Sequence, residues 1–198
     1  MELVKSYEAF LSRLRSKYGN KEKIICLLFV DPSNDDIMAH YITDRFDYLN
    51  RRTGKYVDFF CPGYNSLNGK RKFDVNDYVD FINQFEELTE WRYYGGTNLL
   101  LIRYSGYELY FDSVYDLNFT RMIIDGLIRD HRHFIEDIIY NFKHIDEYLD
   151  NVWAQEQLGS LWENFSNLLP NFMQRILRQI SDTRKINKYL TPHDIRKK

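Results

Sequence analysis

The chain is predicted to adopt an α/β fold, with a small mixed sheet of about four strands in the order β-α-β-α-β-β and a C-terminal helical extension. Three observations carry this. Residues 23–30 are a continuous apolar run that ends in Asp31-Pro32, helical spacing separates that run from the next β-rich one, and two later β-rich runs meet around Ser105-Gly106. An apolar run with charge before it and Asp-Pro after it has the pattern of a strand covered on both faces.

The elements follow in order. Val4, Tyr7, Leu11, Leu14 and Tyr18 lie on one helical face, and Gly19-Asn20 stops that helix ahead of the central strand. From Asp36 the positions Met38, Tyr41, Ile42, Phe46 and Leu49 repeat helically as far as Thr53-Gly54, where a second strand begins over residues 56–61. Strand, helix, strand at this spacing predicts a parallel crossover. Residues 62–74 read as a loop containing Lys70-Arg71-Lys72, and Asp74 with Asp77 caps a helix whose inner face carries Tyr78, Phe81, Ile82, Phe85 and Leu88. Residues 98–104 and 107–114 predict a hairpin, so the sheet ends antiparallel.

Beyond Asn118 the pattern is helical. One stripe runs from Ile124 through His131 and Ile138 to Leu149, a second helix carries Leu158, Trp162, Phe165 and Leu169, and a third starts after Pro170. The organisation read from this is an α/β domain over residues 1–118, three helices over 119–190 packed on it or on a partner, and a basic tail over 191–198.

A chain that is 44% apolar and 17% aromatic can bury a core, which excludes a disordered polymer. Cys26 and Cys61 sit inside apolar runs and predict reduced, buried thiols. With no apolar run of the roughly 20 residues a bilayer requires and no signal-like N-terminus, the expectation is a cytoplasmic protein with no membrane role.

The order helix, strand, helix, strand, helix, strand hairpin, helix over about residues 1–135 resembles that of thioredoxin-like domains. Redox members of that family carry Cys-x-x-Cys after the first central strand, and here Asp31-Pro32-Ser33-Asn34 stands there; they place a cis-proline before the hairpin, and here Gly95-Gly96-Thr97 does. The resemblance therefore implies the order of elements without thiol–disulfide exchange, which needs a thiolate and a resolving thiol.

Ligands of open α/β sheets bind beyond the carboxyl ends of the strands. That rule selects Asp31, Ser33, Asn34, Asp35 and Asp36 after the first strand, and Tyr64, Asn65, Lys70, Arg71 and Lys72 after the second. The competing explanation for the first group is that Ser33 or Asn34 caps the following helix while Asp35 and Asp36 favour its positive end. His131, His133, His40 and His144 lack zinc-helix spacing, and neither a Walker loop, a dinucleotide fingerprint nor an Asp-x-Asp pair occurs, so no metal and no cofactor are expected.

Charge is unevenly distributed. Residues 171–198 hold eight Lys/Arg against Asp182 and Asp194, a local +6, which leaves −8 for residues 1–170 of a chain whose net charge is −2. Arg175, Arg178, Lys185 and Lys188 can share a face and meet an anionic partner, although residues 125–163, with nine Asp/Glu and three Lys/Arg, also attract them. The leading expectation is a non-enzymatic interaction or regulatory component of a multi-protein assembly, a protein partner or homo-oligomer engaging the C-terminal helices. The alternatives are a metal- or nucleotide-dependent hydrolase or phosphoryl-transfer enzyme at the ends of strands one and two, and a nucleic-acid-associated factor using the basic C-terminus.

Overall fold

The computed structural model describes residues 1–53, 58–67, 70–153, 161–176 and 186–197. The chain is mixed α/β. The principal strands are β1 (Glu2–Val4), β2 (Lys23–Phe29), β3 (Phe59–Pro62), β6 (Asn98–Ser105) and β7 (Glu108–Asn118); β4 (Tyr64–Leu67) and β5 (Lys70–Phe73) pair separately. The helices are α1 (Tyr7–Tyr18), α2 (Ile37–Asp44), α3 (Phe46–Thr53), α4 (Val75–Leu88), α5 (Phe119–Ile124), α6 (His131–Trp153) and α7 (Leu161–Ile176).

Five strands, where about four are expected, form the main sheet in the order β1-β3-β2-β6-β7. The additional strand is β1: Glu2 pairs with Phe60 and Val4 with Pro62, in parallel. Three residues are too few for periodicity to separate a strand from a helix entry, and Val4 fits both patterns. The helix proper starts after Ser6, whose hydroxyl accepts from Ala9 N at 3.2 Å. β2 runs parallel to β3, as the crossover pattern predicts, and antiparallel to β6, while β6 and β7 pair antiparallel as the hairpin pattern predicts. Gly106 and Tyr107 both have positive φ, the geometry of a tight turn whose twist matches the β6–β7 strands.

Three further differences have local causes. The segment expected as a loop contains the β4–β5 hairpin, whose alternation is masked by its charges. The helix after β2 breaks at Arg45 into α2 and α3. The long stripe after Asn118 breaks at Gly126, φ 73°, so Ile124 falls outside the core at 78% exposure while Phe134, Ile135, Ile138 and Phe142 of α6 are buried. Pro170, expected to start a helix, instead lies inside α7. Its missing N–H removes one backbone bond there, a loss offset by burial of Trp162, Phe165, Leu169, Phe172 and Met173 on one face.

Alternation along β2 feeds two layers. Ile25, Leu27 and Phe29 join α1 and α4 in an aromatic core in which Phe29 stacks on Trp91 at 4.9 Å and meets Phe81 at 6.0 Å and Phe85 at 6.2 Å. Cys26, Leu28 and Val30 face α2, α3, α6 and α7. The helices after Asn118 thus cover the second face of the sheet.

The C-terminal residues wrap the β7 edge. Ile186, Tyr189 and Leu190 are buried in the second layer, while Ile195 is buried in the first. Between them Val114 and His193 exchange both backbone bonds at 2.8 Å, Ile195 N donates to Phe111 O at 2.8 Å, and Glu90 N donates to Ile195 O at 2.8 Å. The tail expected over 191–198 is therefore docked through residues 193–196.

Two predictions follow from the layers. Phe29→Ala removes a fully buried ring from the centre of the aromatic core, and a loss of about 3–5 kcal/mol in urea unfolding is expected. Asp116 on β7 has its carboxyl pKa raised by burial, against the opposing bond from the Trp91 indole N–H at 2.9 Å. The folded chain thus holds this proton more tightly than the unfolded chain, so the ionised group costs stability at neutral pH, and the cost fades as pH falls through the folded pKa. Asp116→Asn should raise the unfolding free energy at neutral pH, with a gain that shrinks toward about pH 4, where unfolded Asp also takes up its proton.

Candidate functional site

The turn after β2 is locally satisfied. Asp31 Oδ1 accepts from Ser33 N at 2.9 Å and Ser33 Oγ at 2.5 Å, and Asp31 Oδ2 accepts from Asn34 Nδ2 at 2.8 Å. Both oxygens of Asp31 are therefore engaged by an Asx turn. Asp35 is exposed beside it.

The residue that reaches inward is Asp36, 6% exposed. Its Oδ1 caps α2 by accepting from Met38 N at 2.9 Å. Its Oδ2 accepts from Thr97 Oγ1 and from Thr120 Oγ1, each at 2.7 Å. Thr120 Oγ1 in turn accepts from Thr97 N at 2.8 Å, and Phe119 N donates to Thr97 O at 2.8 Å. One carboxylate thus joins the end of β2, the start of β6 and the start of α5.

The loop before β6 is held just as firmly. Tyr78 donates to the Tyr93 hydroxyl at 2.9 Å, Tyr93 donates to Gly96 O at 2.7 Å, and Asn98 Nδ2 donates to Gly95 O at 3.1 Å. Burial pushes the Tyr93 phenol up to about 12 and Tyr78 higher still, so both stay protonated donors. Gly96 has φ 76°, and a Cβ there would lie 2.4 Å from Thr120 Oγ1. Only glycine admits the approach that closes this network.

Both oxygens of Asp36 are committed to donors on three separate segments, so the side chain holds structure. Three large apolar side chains on the segments that carry the network are exposed: Ile37 next to Asp36 at 55%, Tyr94 three residues before Thr97 at 86%, and Ile124 four residues after Thr120 at 78%.

Tyr64, Lys70 and Arg71 are brought together elsewhere, with Pro32, Thr43 and Phe73, around an open groove of about 490 Å³. Arg71 is ion-paired with Asp47 on the same rim and lies 4.7 Å from the Phe46 ring centre. The Tyr64 hydroxyl is buried without a hydrogen-bond partner, and burial raises its pKa. Asp31, Ser33, Asn34 and Asp35 do not join these residues in lining the groove. Among the described residues no three His, Cys, Asp or Glu gather as a metal-ligand set, and no helix is long and apolar enough to cross a membrane.

Arg178 and Lys185 lie outside the described residues, as does the side chain of Arg175. Lys188 is described: its ammonium is 3.5 Å from Asp125 and 5.0 Å from the Tyr189 ring centre, turned onto the chain's own surface. Both thiols are buried, and burial pushes Cys61 up to about 12.

Asp36 carries a sequence signal, a cap residue ahead of Met38, Ala39 and Ile42. Thr97 and Thr120 carry none, being 61 and 84 residues away along the chain. The chain matches no protein-family model, no curated protein and no solved structure at a significant level.

Asp36→Ala removes a helix cap and strands two hydroxyls, so a loss of about 2–4 kcal/mol is expected in chemical unfolding. Asp36→Asn, which keeps an acceptor for the Met38 amide, should lose less.

Proposed function

We propose that this chain is a non-enzymatic interaction component of a multi-protein assembly, built as a thioredoxin-like domain without redox chemistry. The carrying observation is the Asp36–Thr97–Thr120 network, which ties the starts of α2, β6 and α5 together with committed hydrogen bonds, while Ile37, Tyr94 and Ile124 on the same segments are exposed. A prefixed surface with large apolar side chains suits a protein partner, because little conformational freedom is lost when it docks. What supports the likeness in fold is the order of elements once β1 and the β4–β5 hairpin are set aside. Helix α1, strand β2, the broken helix α2–α3, strand β3, helix α4, the β6–β7 hairpin and α5–α6 then run in sequence. What supports the lack of redox chemistry is that the helix after β2 opens on Asp36 and that Cys26 and Cys61 are both buried.

Two measurements test the reading. Native protein should leave an aromatic disulfide reagent unreacted until denaturant is added and should not accelerate insulin reduction; turnover in that assay would refute the non-redox part. Affinity capture with the full chain is compared with Ile37→Glu/Tyr94→Glu/Ile124→Glu at matched thermal midpoints, each captured protein being rebuilt from purified components. A partner that binds the wild type at least tenfold more tightly is expected. Partners that do not distinguish the two chains sink the proposed surface.

The groove at Tyr64, Lys70 and Arg71 supports a second reading, in which a small anion binds between the hairpin and the turn after β2. Lys70 and Arg71 supply positive charge, while Asp47 already neutralises Arg71. Thermal melting with nucleotides, with and without Mg²⁺, separates it: a raised midpoint abolished by Lys70→Ala/Arg71→Ala favours the groove, and an unchanged midpoint removes it.

A further inference from the structure

We propose that residues 111–114 of β7 form a strand-accepting site for an extended basic peptide, a site that the chain's own residues 193–196 fill. The proposal concerns a different surface from the one around Asp36. Leu101 pairs with Tyr115 and Arg103 with Tyr110, so four residues of β7 stand opposite the single Ile102 of β6. A bulge of that size turns the backbone away from its neighbour and frees its polar groups. The C-terminal strap engages those groups: Val114 exchanges both bonds with His193, and Phe111 O accepts from Ile195 N. The contacts are isolated bridges rather than a continuous ladder.

On its other side the strap is bridged at Thr89–Arg196 and accepts from Glu90 N at Ile195 O. Of residues 191–197 only Ile195 is buried; Thr191, Pro192, His193, Asp194, Arg196 and Lys197 are exposed. The receiving surface is negative. Arg196 is ion-paired with Asp194 of the strap at 2.5 Å and also lies within Coulomb reach of Asp112 on the bulge, and Asp116 lies within reach of His193. Lys197 Nζ donates to Glu87 O at 2.8 Å, one of the last carbonyls of α4, where the helix dipole is negative. A backbone-receptive edge, one apolar socket and acidic surroundings specify the occupant as an extended segment with a β-branched residue followed by Arg or Lys. A partner carrying that pattern would compete with the strap, and the strap sets the threshold for its binding.

The test uses a labelled peptide with the sequence of residues 191–198, followed by fluorescence anisotropy. It is titrated with the full chain and with full-length Ile195→Asp, whose own strap has lost its anchor. The variant is expected to bind the peptide at least tenfold more tightly than wild type, with affinity falling as salt rises and falling further with Asp112→Asn in the same chain. A peptide carrying Ile195→Asp should bind neither. Equal binding by the two chains, or none by either, overturns the proposal. Hydrogen exchange on the wild-type chain decides the matter even if the variant unfolds. The Val114 and Glu90 amides should exchange at least tenfold faster than β6 amides such as Leu101, and equal protection would make the strap part of the global fold and overturn the idea.

Discussion

Residues 25–30 are buried throughout, Ile25, Leu27 and Phe29 toward one layer and Cys26, Leu28 and Val30 toward the other, and most of the architecture answers to that constraint. A strand with no solvent face needs a partner on each edge and a helical layer on each side. β3 and β6 supply the edges, α1 and α4 one layer, and α2, α3, α6 and α7 the other. The apolar surplus of the C-terminal helices is consumed in this way: Trp162 and Phe165 pack against Tyr115 of β7, and Phe142 against Phe59 of β3.

Where β2 ends, the demand changes from apolar to polar. The chain leaves the sheet at a helix N-terminus, and a single buried carboxylate answers the α2 amide and two threonine hydroxyls together. Such a network is stable because each donor has an acceptor. Ile37, Tyr94 and Ile124, on the segments the network joins, are exposed.

The opposite edge has a different problem. β7 is an outer strand with a wide bulge, and unpaired strand edges invite other chains. The strap over residues 193–196 covers the bulge by backbone pairing, with Ile195 as its anchor in the aromatic layer. Because Ile186, Tyr189 and Leu190, ahead of the strap, are buried in the second layer, the C-terminal residues clasp the sheet from both faces.

Legibility in the sequence followed the range of the interactions. The central strand, the cap at Asp74, the parallel crossover and the β6–β7 hairpin rest on residues within a few positions of one another and show in local pattern, whereas the α2 cap falls at Asp36 and not at Ser33 or Asn34. β1 and β4–β5 were too short or too charged to show a period, and the break at Gly126 hid inside a continuous apolar stripe. The candidate residues divided in the same way: Asp31, Ser33 and Asn34 bond to each other, whereas Tyr64, Lys70 and Arg71 meet Pro32 and Thr43 across a groove. By itself, then, the sequence determined an α/β chain with a doubly buried strand and buried thiols, because alternation and apolar content are local properties. Only the tertiary structure decided that Asp36 would meet Thr97 and Thr120 and that residues 193–196 would close the β7 edge, because those bonds join positions whose separation along the chain leaves no periodic trace.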